Sequence, residues 1–117
     1  MNELIGRLVA ELGIERAVAE KAVGIILAFL IKEGPADKVN PLIDRMPGAQ
    51  EAADASSGGA FGMGGIMGAG AALMGLGLSM PQVQAVTKTV MTYARETAGE
   101  DAVGEIVGAV PGLSQFI

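Results

Sequence analysis

An all-α fold is expected for this chain from three features. Apolar residues recur at helical spacing in several separate stretches, Gly or Pro-Gly steps punctuate those stretches, and no run alternates apolar and polar residues as a half-buried strand would. The 117 residues make one compact domain or two very small ones. Half of them are apolar and 18% are charged, so the composition can fill a core.

The first twelve residues place Leu4, Ile5, Leu8, Val9 and Leu12 on one helical face, with Glu3, Arg7 and Glu11 four apart on another. Gly13 follows the last periodic residue and suits a left-handed C-cap. A second helix is expected from about Glu15 to Glu33. Its centre, Ala22 to Ile31, is apolar nearly all round, which calls for the middle of a core or a subunit interface. At ten residues it falls short of the roughly 20 needed to span a bilayer. Gly34-Pro35 ends it. The next helix, Ala36 to Arg45, turns Val39, Leu42, Ile43 and Met46 inward, and Pro41 is expected to kink it or delay its start. Pro47-Gly48 stops it, and Ala49 to Ala55 has room for one or two further turns.

The stretch from Ala55 to Thr87 carries no charge, and Gly58 to Gly77 holds nine of the eighteen glycines. Each interior glycine costs a helix about 1 kcal/mol relative to Ala, so Gly62 to Gly77 needs packing to hold it helical. Three readings stand for Gly58 to Met80. One is a linker whose latter part serves as a helix, another a close-contact helix with Gly64 and Gly68 letting a second backbone approach, and the third insertion into lipid. Ser79 then caps a helix from Met80 to Ala98, with Val83, Val86, Val90, Met91 and Ala94 inward and Gln84, Lys88 and Arg95 toward water. After Gly99, Glu100 and Asp101 open a short helix lined by Val103, Ile106, Val107 and Val110. Pro111-Gly112 ends it before an apolar tail, Leu113 to Ile117.

Shifting the chain against itself by 64 residues aligns its halves without a gap. Leu12-Gly13-Ile14 meets Leu76-Gly77-Leu78, Ile26 meets Val90, Leu27 meets Met91, Phe29 meets Tyr93, Leu42 meets Ile106, and Met46-Pro47-Gly48 meets Val110-Pro111-Gly112. The expectation is a small all-α helical bundle of two pseudo-repeated three-helix units. Residues 1–55 form the first, 56–65 a Gly-rich linker, and 66–117 the second, together one domain. The ending Ala109-Val110-Pro111-Gly112-Leu113 resembles small bacterial families catalogued as domains of unknown function of the 2267 or 2780 kind. The resemblance covers the last forty residues and, more weakly, residues 12 to 48. It implies an all-helical bacterial protein and carries over no catalytic or ligand residue.

With no Cys and no His, the chain lacks disulfides, Cys/His zinc sites and every Ser-His or Cys-His arrangement. Met67 stands where a dinucleotide fingerprint begun at Gly62 and Gly64 needs its third glycine, and no lysine supports a P-loop. Glu100, Asp101 and Glu105 are the densest acidic group, read as helix capping and a solvated face, with Asp37 and Asp101 as equivalent caps under the repeat. Tyr93 and Phe29 are read as packing residues. Met63, Met67, Met74 and Met80 suit either core filling or an adaptable surface. Eight scattered Lys and Arg and a net charge of −5 argue against nucleic acid. The charges in Met1 to Leu12 do not suit a signal peptide, and a cytoplasmic location is expected.

The function expected is a non-enzymatic helical structural or interaction protein, self-associating as a homo-oligomer, a dimer in the simplest case. It needs no cofactor, metal or catalytic residue. Ile26, Phe29, Leu30, Met63, Gly64, Met67 and Gly68 are the candidate interface. The alternatives are a membrane-associated protein using the Gly/Met segment and a binder of a small apolar ligand.

Overall fold

A computed structural model describes residues 2–46, 48–51 and 65–110, and among these all regular structure is helical. The helices are α1 (Asn2–Leu12), α2 (Arg16–Glu33), α3 (Ala36–Arg45), α4 (Gly65–Met74), α5 (Met80–Ala98) and α6 (Glu100–Ala109). Residues 49–51 make a further helical stretch, against which the expected continuation to Ala55 lies outside the described residues.

Helix α2 is the axis of the bundle. Every residue from Ala22 to Leu30 is buried, as an element apolar on all sides requires, and α1, α3, α4 and α5 all pack against it. Helix α1 lies between α2 and α5 and buries Leu4, Ile5 and Leu8, with Val9 and Leu12 partly covered. Helix α5 buries the inward stripe expected of it and adds Thr87, whose hydroxyl donates to the Val83 carbonyl at 2.9 Å and so enters the core satisfied. Helices α3 and α6 pack on each other and on α5, with Val39, Leu42, Val103 and Ile106 between them and the core.

Local chemistry explains where these helices stop. Gly13, Gly77 and Gly99 sit at φ of 68°, 94° and 96°, where L side chains are strained, and the Gly13 and Gly99 amides close the last turns of α1 and α5 on the Val9 and Arg95 carbonyls. At the start of α5 the Ser79 N–H donates to Gln82 Oε1 at 2.9 Å, one arm of a capping box, and Pro81 sits in the first turn.

One expectation is corrected and another is met. Pro41 does not delay α3, which begins at Ala36. The proline is exposed at mid-helix, and the Asp37 carbonyl it leaves without a helical donor belongs to an exposed residue. The glycine-rich stretch is helical from Gly65 to Met74 in spite of its propensities. Gly68, Ala69 and Leu73 are buried as α4 packs on α2 and α5, and tertiary burial outweighs the local cost. The expected linker, 56–65, lies outside the described residues except for Gly65.

The surface glycines of helices that pack on nothing carry a cost without a return. A Cβ added at Gly6 or Gly104 meets nothing within 4 Å. Gly6→Ala and Gly104→Ala are each expected to raise stability by about 0.5–1 kcal/mol, read as a higher urea midpoint. An unchanged or lower midpoint would show that these backbones are not helical in solution.

Candidate functional site

Among the described residues a cluster of polar contacts lies on the seam between α1 and α5. Glu3, Arg7 and Glu11 recur every fourth residue, so burial of Leu4 and Leu8 swings all three along one edge of α1, and that edge runs beside α5. Arg7 forks onto Glu96, with Nη1 donating to Oε2 at 2.9 Å and Nη2 to Oε1 at 2.7 Å. Nη2 also donates to Glu3 Oε1 at 3.0 Å. The Tyr93 ring lies beneath, its centroid 5.6 Å from Arg7 Cζ, in reach of a cation–π attraction.

These contacts set the charge states. Hydrogen bonding to Glu96, then to Glu3, raises the Arg7 guanidinium further above its ordinary value. The same bond holds the Glu96 carboxyl below the usual carboxylate range, with partial desolvation opposing it. A second cross-helix pair, Lys38 Nζ to Glu105 Oε2 at 2.7 Å, joins α3 to α6 and raises the lysine.

A carboxylate stabilised in the folded state contributes above its unfolded pKa and loses that contribution as pH falls through the lower folded value. The Tm difference between the wild type and Arg7→Met is therefore expected to be largest near neutrality and to shrink below pH 4.5, the ordinary value for Glu96, and at high salt. For Lys38 the sign reverses, and its contribution fades as pH rises beyond 10.5. An equal Tm difference at pH 7 and pH 3 would remove the Arg7–Glu96 pair from the account.

Beside the clamp an open groove of about 390 Å³ lies between the two helices, lined by Arg7, Glu11 and Leu12 from α1 and by Ala85, Lys88, Thr89 and Thr92 from α5. Thr89 Oγ1 reaches Glu11 Oε2 at 3.4 Å across it, and the Thr92 hydroxyl is spent on the Lys88 carbonyl at 2.9 Å. The groove offers charges and hydroxyls beside a larger apolar lining. That chemistry suits reversible polar contact. Among the described residues its one hydroxyl–carboxylate contact is the long one from Thr89 to Glu11, and no three acidic groups gather to hold a metal ion.

The residues singled out in the sequence lie elsewhere. Ile26, Phe29 and Leu30 are 3%, 2% and 0% exposed, so the apolar surface they offer is consumed inside the chain's own core. Gly68 is buried in α4. Met63 and Gly64 fall outside the described residues. Met67 belongs to α4, and its side chain is likewise outside the description. Met46 and Met91 fill the core, and Met74 and Met80 are exposed at the α4–α5 turn. The capping expected of Asp101 and Asp37 is corrected: the N-caps of α6 and α3 are Gly99 and Pro35, which have no capping side chain, and the acids stand inside the first turns, where their charge suits the helix end. Sequence reasoning passed over the Arg7 clamp. The four-residue acidic-basic stripe on α1 was its signal, but nothing local pointed to Glu96, 89 positions away.

Comparison with family models, curated proteins and solved structures finds no match. Among the described residues no helix is long and apolar enough to cross a membrane.

Proposed function

We propose that this chain is a non-enzymatic helical interaction protein, built from two equivalent three-helix units, that self-associates with further copies. The observation that carries the reading is the 64-residue recurrence of the helices themselves. Helix α2 begins at Arg16 and α5 at Met80, while α3 spans Ala36–Arg45 and α6 Glu100–Ala109. Gly13 and Gly77, also 64 apart, both take positive φ.

Burial follows the same offset. Ala19 and Val83, Ile26 and Val90, Leu27 and Met91, Val39 and Val103, and Leu42 and Ile106 are all core pairs. Packing follows it in part: α1 lies on α2 and α5 and α4 on α5 and α2, as an approximate two-fold axis would have them, whereas α3 packs on α5 without α6 packing to the same extent on α2. A unit of this size cannot hide its apolar faces alone, and its twin supplies the cover.

Function as an interaction protein is further supported by a chain without His or Cys and by a seam built of ion pairs and hydrogen bonds. Sedimentation equilibrium tests self-association, and the weight-average mass is expected to climb from 11.8 kDa toward twice that value with concentration. A mass constant at the monomer value would overturn it. The doubled unit is tested separately: a crystal structure in which residues 2–46 fail to superpose on 66–110 would end that part.

A further inference from the structure

We propose that self-association proceeds by exchange of halves, so that helices α1–α3 of one copy pack on α4–α6 of a second copy through the seam that otherwise closes each monomer. This rests on the self-association reading above and gives it a surface and a partner.

The surface formed by the described residues is a poor candidate for the contact. Among the described residues the large apolar side chains left exposed are Met74 and Met80, and two half-covered methionines are far from the roughly 800 Å² per partner of a stable interface. The seam between halves, by contrast, is built like an interface. Helix α1 packs on α5, α4 on α2, α3 on both α5 and α6, and α2 on α5, with Leu8, Leu27, Leu30, Leu73 and Met91 at no more than 2% exposure. Charged pairs cross it as well: Arg7 with Glu96 and Lys38 with Glu105, both reaching from the first half to the second. Apolar centre and ion-paired margin together are the anatomy of a protein–protein contact.

The halves are joined through residues 52–64, since 49–51 are helical and Ala49 is buried in the core. Thirteen residues reach up to roughly 45 Å when extended, against a longest molecular dimension of 32 Å, so the connection is long enough to cross between two copies. Exchange creates no new surface, since the same seam forms within one chain or between two. The tether favours the closed monomer at low concentration by holding its own half nearby, and that advantage is lost as free chain approaches the effective concentration of the tether.

Charge inversion makes the choice visible in the full-length chain. One variant carries R7E and K38E, the other E96R and E105K. Alone, each sets like charges against each other at both crossing pairs. In an exchanged heterodimer both seams regain opposite charges. The two are unfolded in urea, mixed, refolded by dilution and followed by sedimentation velocity and thermal melting. The expected result is a 1:1 species at twice the chain mass, with a Tm above that of either variant refolded alone. Two unmixed monomer populations with unchanged melting would overturn exchange. If the doubly inverted chains do not fold alone, the single variants R7E and E96R repeat the test with a milder mismatch, to the same two outcomes. A wild type that dimerises beside inverted variants that do not pair overturns exchange and leaves self-association standing. A wild type that stays monomeric overturns self-association and, with it, exchange of halves in the native chain, whether or not the inverted variants pair.

Discussion

Leu27→Ala is expected to lower stability by about 3–5 kcal/mol, the upper part of the range for truncating a fully enclosed aliphatic side chain. Leu27 has 0% exposure at the middle of α2, the helix against which α1, α3, α4 and α5 all pack. The lost transfer free energy is joined by a cavity that the surroundings cannot close, because collapse from one side pulls a neighbouring helix away from the other. A total stability of 5–15 kcal/mol is typical of a domain, so the loss is a large fraction of the whole. Urea denaturation is expected to show a much lower midpoint with an unchanged slope. A loss below about 1 kcal/mol would mean that α2 is not enclosed in solution, and the core described above would be wrong.

Gly34→Ala carries the second large effect, and its cause is steric. Gly34 follows α2, with its amide closing the last turn on the Leu30 carbonyl at 2.7 Å. Its φ of −84° is open to any residue, so backbone conformation is not the obstacle. A Cβ at this position would stand 2.7 Å from the Leu30 carbonyl oxygen and 2.7 Å from Cγ2 of Val39, itself at 0% exposure. Neither can yield cheaply, since one is backbone at a helix end and the other is fixed in the core. The expected cost is about 1–3 kcal/mol, as for overpacking elsewhere. Chemical denaturation measures it, and Gly6→Ala, where the added methyl meets open space, is the internal control. Equal behaviour of the two variants would show that the α2–α3 corner is looser than its distances imply.

The elements that could be read from the residues are those bounded by local chemistry. Gly13, the Gly34-Pro35 step, Ser79 and Gly99 each impose a stop or start through backbone freedom, a missing donor or a capping side chain. The helices they bound, Arg16–Glu33, Ala36–Arg45 and Met80–Ala98, lie within a residue of expectation. The inward stripes of α3 and α5 were legible for a similar reason, because a helix with one apolar face has one way to bury it. Helix α4 was not legible to the same degree. Its glycines oppose helix formation locally, and it is held by packing against α2 and α5, a term no window of sequence contains.

The candidate site divides along the same line. Spacing alone places Glu3, Arg7 and Glu11 on one edge of α1, and the composition alone excludes thiol and imidazole chemistry. That Arg7 meets Glu96, that Lys38 meets Glu105, and that a groove opens between Glu11 and Lys88 depend on how two distant helices come to lie side by side. The apolar surplus of α2 had two outlets, a core or a second chain, and a helix greasy on all sides carries no mark of direction. Burial of Ile26, Phe29 and Leu30 within one chain settles that choice for the monomer. Short-range preferences act within a turn or two of helix and so can be written into neighbouring residues, whereas the partner of each face follows from simultaneous packing of all the helices.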